Sequence, residues 1–330
     1  MSASNQTSDT GDTIEFGRTS GGGGAAGIQR EWENPAIGMF DGVDAVPGSA
    51  KPDPILVAND VSRSFGGLRA VDVDRVEIQR GAITALIGPN GAGKTTFFNL
   101  LTNFDTPDTG KVVFNGETTS GVRSHELAAK GMVRTFQLTK VLAKMSVLDN
   151  MMLAAQKQSG EVMRRGLLRG WHRQEQEVEK RALEILDEFN MTHMKDEYAG
   201  ALSGGQRKLL EMARAMMANP SLIMLDEPMA GVNPALTQSL LGHVKRLRSE
   251  GISVMFVEHD MDVVQDISDW VVVMAEGSII AEGTPRSIGE NQAVVDAYLG
   301  SSHAALTEEI REAVAGDAHD LQNEGSDTDG

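Results

Sequence analysis

The run Gly88-Pro89-Asn90-Gly91-Ala92-Gly93-Lys94-Thr95-Thr96 constrains this chain more than any other stretch. The apolar segment Ile83–Ile87 precedes it, and Phe97-Phe98-Asn99-Leu100-Leu101 follows it. A strand, a glycine loop and a helix in that order form the setting in which G-x-x-x-x-G-K-T cradles phosphate. Glycine lets the backbone curl until its N–H groups converge, and the helix start adds free donors and a positive dipole end. In such a loop Gly88, Pro89, Asn90, Gly91, Ala92, Gly93 and Thr96 form the cradle. Lys94 reaches the β- and γ-phosphates, and the Thr95 hydroxyl takes a place on Mg²⁺. The alternative is a glycine-rich turn that binds nothing; Lys-Thr placed directly after a strand argues against it.

At 330 residues the chain accommodates one large domain or two modest ones. It has no cysteine, so neither a disulfide nor a thiolate zinc site holds it together. No run of 18 apolar residues is present to cross a bilayer. The Ser/Thr/Asp/Gly-rich N-terminus lacks the apolar core of an export signal. The net charge of −17 is uneven: residues 1–50 contribute −5 and residues 301–330 contribute −7. The remaining −5 lies on residues 51–300, a nearly balanced domain without the broad basic surface that binds nucleic acid.

Residues 1–53, with Gly21–Gly24 and no apolar period, are expected to form a disordered tail, and the acidic segment 301–330 another. Order is expected to begin near Ile55-Leu56-Val57-Ala58. Val71, Val73, Val76 and Ile78 read as a half-buried strand, and Val112-Val113-Phe114 as a strand entering the turn Asn115-Gly116. Phe65, one strand upstream of the glycine loop, either packs in the core or stacks on an adenine. From about 140 to 200 the pattern turns helical, with Val178, Ala182, Ile185, Leu186 and Phe189 recurring at helical spacing. The arginine-rich stretch 160–172 with Trp171 reads as an exposed connection. Continuously apolar runs at 221–225 and 252–257 read as parallel strands buried on both faces. Trp270–Met274 and Ser278–Ala281 suggest a closing hairpin.

Asp226 ends one of those buried strands, where parallel α/β sheets place their ligand sites. Four apolar residues followed by Asp, downstream of a phosphate loop, suit a carboxylate that holds Mg²⁺. Glu227, one residue on, is placed to polarise an attacking water as general base. Leu202-Ser203-Gly204-Gly205-Gln206 opens a second helix with glycines, expected from Gln206 to about Ala218, and so offers a second anion-binding helix start. One nucleotide site needs only one cradle; a second makes sense if it serves the nucleotide of another subunit.

The glycine loop, Gln137, Leu202–Gln206, Leu222–Glu227 and His259, in this order and spacing, resemble the ATP-binding subunit of an ABC transporter across residues 54–300. The resemblance implies a P-loop NTPase with a RecA-like core, an N-terminal antiparallel β subdomain and an α-helical signature subdomain inserted at about 140–215. It also implies two ATP molecules sandwiched between two head-to-tail subunits, alike or different. Ser203, Gly204, Gly205 and Gln206 of one chain would then meet the γ-phosphate held by Lys94 and Thr95 of the other. Gln137 is similar to the residue that senses Mg²⁺ and the membrane partner, and His259 to the switch histidine on the γ-phosphate.

Phe65–Val71, Gly131–Gln137, Ala230–Pro234, Val257–Met261 and Ala297–Gly300 are similar to segments of the ATPase subunits of branched-chain amino acid importers. These motifs are shared in part with urea and amide importers and with the ATPase of lipopolysaccharide export. The resemblance therefore implies ATP and Mg²⁺ as cofactors, integral-membrane permease subunits as partners, and an extracytoplasmic substrate-binding protein acting indirectly. The implied location is the cytoplasmic face of the plasma membrane. Asn233 stands where many such ATPases carry aspartate in the loop that links the two sites. A soluble ABC ATPase acting on DNA or ribosomes, or a P-loop kinase or GTPase, fits these motifs less well.

Overall fold

A computed structural model of the chain describes residues 38–135, 141–155 and 171–299. Two sheets meet around the glycine loop. The first is antiparallel and built from β1 (Pro54–Phe65), β2 (Leu68–Gln79), β4 (Thr109–Phe114) and β5 (Glu117–Thr118), in the order β2-β1-β4-β5. The second runs β10-β9-β3-β8-β7-β6, where β3 is Ile83–Ile87, β6 Met132–Arg134, β7 Leu222–Asp226, β8 Ser253–Val257, β9 Trp270–Ala275 and β10 Ser278–Gly283. Every pairing in it is parallel except the edge hairpin β9–β10. The helices are α1 (Lys94–Leu101), α2 (Ser124–Ala129), α3 (Val147–Leu153), α4 (Trp171–Glu188), α5 (Gly204–Met216), α6 (Pro234–Ser249), α7 (Met261–Ile267) and α8 (Pro285–Gly289).

The parallel strands β3, β7, β8 and β9 are buried along their whole length. Side chains alternate across a strand, so each of these apolar runs feeds two cores. Ile83, Ala85, Ile87, Ile223, Leu225, Val254, Phe256, Val271 and Val273 enter a core shared with α4, α5, α6 and α7. Leu86, Leu222, Met224, Met255, Val257, Trp270, Val272 and Met274 enter the opposite core with α1 and the antiparallel sheet. Each such side chain contributes on the order of 2 kcal/mol by leaving water. This two-sided burial fixes the register of the strands, and with it the height at which each strand releases its C-terminal loop.

The β1–β2 hairpin turns at Gly66 and Gly67, both at positive φ, between the paired residues Phe65 and Leu68. That is the two-residue turn whose twist matches the flanking strands. The signature helix begins at Gly204, two residues earlier than its spacing suggests, because Ser203 caps it. The Ser203 hydroxyl accepts from the Gln206 N–H at 3.3 Å, and the Gln206 side chain accepts from the Ser203 N–H at 2.8 Å.

The expected start of order near residue 54 is corrected for residues 38–53, which pack against the parallel sheet. Phe40 stacks on Trp270 with ring centroids 4.7 Å apart. The Lys51 ammonium lies 3.0 Å from the Glu282 carboxylate, both fully buried, and 4.5 Å over the Trp270 ring. Glu282 also accepts the Gly48 N–H at 2.7 Å and the Trp270 indole N–H at 3.1 Å. A buried carboxylate with this many donors is compensated, whereas removing Lys51 would strand it. Residues 1–37, 136–140, 156–170 and 300–330 lie outside the described residues, and with them the bulk of both expected tails, Gln137, and the arginine-rich stretch as far as residue 170.

The helical insertion is fastened back to the core at the end of α4. Phe189 stacks on His243 of α6 at 4.3 Å, and Arg246 bonds the Glu188 carboxylate at 3.1 Å. Burial, helped by the Arg246 charge, lowers the His243 pKa from 6.5 to about 4. The unfolded chain therefore binds a proton that the folded chain refuses between pH 6.5 and about 4. Stability from this site is complete above pH 6.5 and is lost as pH falls through that window, on the order of 2–3 kcal/mol in all. His243→Phe keeps the stack and should flatten the denaturation free energy between pH 6.5 and 4. A pH slope equal to that of the native chain would contradict this.

Candidate functional site

Because β3, β8 and β7 are adjacent and parallel, their C-terminal ends open side by side. Three loops follow: Gly88–Gly93 after β3, Glu258-His259 after β8, and Glu227–Gly231 after β7. The edge formed by the carboxyl ends of such strands is where open α/β sheets bind ligands. The glycine loop is shaped by close approach. A Cβ on Gly88 would lie 1.9 Å from the Met274 carbonyl oxygen, and one on Gly93 2.3 Å from that of Ala70, both at positive φ. Only glycine lets the loop pass between β9 and β2 and curl over the start of α1.

Lys94 opens α1, and its ammonium donates to the Gly88 and Pro89 carbonyl oxygens at 2.7 and 2.8 Å. Partial burial lowers its pKa, opposed by the Glu227 carboxylate. A cation aimed across its own loop is held where phosphate oxygens would replace the carbonyls. Asn90, Gly91 and Thr95 are exposed, while Ala92 is buried and anchors the loop through its carbonyl to the Gly277 N–H at 3.0 Å.

Asp226 is buried, and its carboxylate meets the Arg134 guanidinium at 2.8 Å. Arg134 also donates to Asn99 at 2.6 Å and sits 5.2 Å over the Phe98 ring. Among the described residues no three His, Asp or Glu converge to cage a metal. One carboxylate and one hydroxyl beside a phosphate cradle nonetheless suit Mg²⁺, which keeps waters and takes substrate oxygens as ligands. The residues present therefore fit the ion.

Glu227 follows at φ 46, a left-handed conformation unusual for glutamate. Its N–H bonds the Val257 carbonyl at 3.1 Å, so the last rung of the β7–β8 pair turns this side chain out of the sheet. His259 is exposed beside the buried Glu258, its Nδ1 3.8 Å from the Glu258 carboxylate. Burial raises the Glu258 pKa, while hydrogen bonds from the Met229 and His259 N–H groups lower it.

Ser203 and Gly204 are exposed at the start of α5, whereas Gly205 is buried. A Cβ on Gly205 would lie 1.9 Å from a Leu236 methyl group, so this glycine lets α5 approach α6. Phe65 is 48 % exposed, which removes the core reading and leaves its ring, with Arg63 stacked at 4.9 Å, open to a ligand. Tyr298 was not singled out as a site residue. Burial raises its hydroxyl pKa and the neighbouring Gly88 backbone lowers it, so the C-terminal segment reaches the phosphate loop. The Ala297–Gly300 segment was the only sequence signal for it.

The ABC transporter family model matches residues 71–230, and the branched-chain amino acid ATP-binding cassette transporter model matches residues 278–304. A probable branched-chain amino acid transport ATP-binding protein LivG of Archaeoglobus fulgidus is 42% identical over 252 residues, 76% of this chain and 98% of that protein. The chain belongs to the ATP-binding subunits of ABC transporters. It is an ATPase of the P-loop class, with the mixed α/β core, antiparallel subdomain and helical insertion described above. The high-affinity branched-chain amino acid transport ATP-binding protein BraF of Pseudomonas aeruginosa is 40% identical over 76% of this ABC ATPase and 99% of its own length. An ATP-binding cassette of an ABC transporter crystallised in its ADP conformation is 36% identical, with TM-score 0.65, covering 75% of this chain and 99% of that one.

Removing Arg134 from the buried pair leaves the Asp226 carboxylate uncompensated, at a cost of about 3–5 kcal/mol. Arg134→Met should lower the unfolding free energy in urea by that amount at pH 7. A loss below about 1 kcal/mol would show that the pair is not what holds Asp226.

Proposed function

We propose that this ABC ATPase powers the import of branched-chain amino acids, working at the cytoplasmic face of the plasma membrane on a pair of integral-membrane permease subunits. The single observation that carries the substrate class is similarity along nearly the full length of relatives named for branched-chain amino acid transport. An extracytoplasmic binding protein would deliver the amino acid to the permeases, and this chain would not touch it. Among the described residues no helix is long and apolar enough to cross a membrane, which suits a subunit docked on others.

The residues divide the work. Gly88–Gly93 and the start of α1 bind the phosphates, and Lys94 leaves its loop carbonyls for the β- and γ-oxygens. Phe65 stacks on the adenine. Thr95 and Asp226 would hold Mg²⁺, which supplies Lewis-acid charge on the phosphate oxygens; Gln137 is assigned there by family resemblance. Glu227 accepts the proton of the attacking water, and His259 donates toward the γ-phosphate. Ser203, Gly204, Gly205 and Gln206 present a helix start to the nucleotide of a second ATP-binding subunit. ATP then closes two subunits face to face, and hydrolysis reopens them.

Co-purification from membranes tests the assignment. Two multi-span permeases with an amino-acid-binding protein are expected; a lipid-export bridge, ribosomes or DNA factors would contradict it. Glu227→Gln should bind ATP normally and lose at least about 100-fold in kcat, the scale on which a general base acts. Turnover at the native rate would contradict the role of Glu227.

A further inference from the structure

Lys208 lies on the second turn of α5, the helix that begins at Ser203-Gly204. Its ammonium donates to three backbone carbonyl oxygens at once: Glu227 at 3.0 Å, Pro228 at 3.0 Å and Ala230 at 2.6 Å. An ammonium has three N–H bonds, and all of them are used here. Partial burial lowers the Lys208 pKa, while the surrounding Glu258, Glu211 and Glu227 carboxylates favour the charged form. The same loop is held from its other side, where the buried Glu258 carboxylate accepts the Met229 N–H at 2.9 Å.

The loop needs such a grip. Glu227 occupies the left-handed region at φ 46, which costs a non-glycine residue on the order of 1 kcal/mol and persists only where neighbours enforce it. Lys208 contacts backbone oxygens rather than side chains, so any displacement of α5 passes directly to the backbone that aims Glu227. The close approach of α5 to α6 at Gly205 and Leu236 removes slack on the same side.

We propose that Lys208 is a positioning residue that ties the helix bearing Ser203-Gly204-Gly205 to the loop bearing Glu227, so that engagement of one nucleotide by α5 sets Glu227 for the other. This rests on the reading above, in which Glu227 serves the nucleotide on its own chain and α5 serves the nucleotide of the second subunit. A misplacement of about 1 Å in such a group costs on the order of 100-fold in rate. Release of the three carbonyls should therefore appear in kcat rather than in ATP affinity.

The test is steady-state ATPase of the full-length chain carrying Lys208→Met, which keeps the length of the stem and removes the donors. We expect kcat to fall about tenfold or more while KM for ATP stays within about threefold, with the folded fraction unchanged. Lys208→Arg, charged but unable to direct three N–H bonds to one point, should recover part of the loss. Native kcat in Lys208→Met overturns the proposal, as does a fall in kcat matched by an equal fall in ATP affinity or in folded protein. Should Lys208→Met fail to fold, Lys208→Arg decides alone: reduced kcat at native KM supports the tether, and native kcat overturns it. Glu227→Gln, measured beside them, separates the two readings. Turnover in that variant defeats the base assignment, whereas an inactive Glu227→Gln with a fully active Lys208→Met defeats the tether only.

Discussion

Three neighbouring parallel strands, β3, β8 and β7, finish at one edge of a sheet that is covered on both faces. Hydrophobic burial on each side fixes their register, and a slip of one residue would exchange the two cores. The three loops at this edge inherit their positions from that register. The phosphate loop leaves β3, the Asp226-Glu227 pair ends β7, and Glu258-His259 ends β8. A side chain placed at the end of such a strand is as rigid as the sheet, which is what catalysis by positioning requires.

Charges buried at this edge are each answered locally. Arg134 faces Asp226, Lys208 faces three carbonyls, and Glu258 receives the Met229 N–H. An unanswered charge in this low-dielectric setting would cost several kcal/mol, so each group stays tied to its partner until a ligand offers better contacts. For Lys94 the present partners are the Gly88 and Pro89 carbonyls. In the proposed site, phosphate oxygens, which carry more negative charge than carbonyls, would take the place of these partners once nucleotide enters the loop.

Much of this was legible in the sequence because it is local. Buried parallel strands read as unbroken apolar runs, and the phosphate loop and signature loop are contiguous motifs. The β9–β10 hairpin is marked by two apolar runs joined at Glu276-Gly277, and the turn after β4 by the Asn115-Gly116 pair itself. Contacts across long separations were not legible. Arg134 and Asp226 are 92 positions apart, and Lys51 and Glu282 are 231 apart. Nothing near Lys51 signals a buried lysine, so residues 38–53 read as tail until Trp270 and Glu282 supply their partners. Phe65 reads in the sequence as core packing or adenine stacking, since its neighbours fix a hairpin but not what covers its ring. Nothing in the sequence around Lys208 marks it; only the turn of the loop at Glu227 brings its three acceptors together.

In the proposed site each ATP is gripped by two chains, Lys94 from one and the Ser203 loop from the other. Mixing two inactive variants tests it most directly. Lys94→Ala and Ser203→Arg should each disable both sites of a uniform dimer, whereas a mixed dimer would keep one phosphate loop facing one signature loop. ATPase activity that is absent from either variant alone and returns on mixing is the predicted result. Native turnover by Ser203→Arg alone would show that one chain hydrolyses ATP without the other's signature loop, and would contradict the two-chain site.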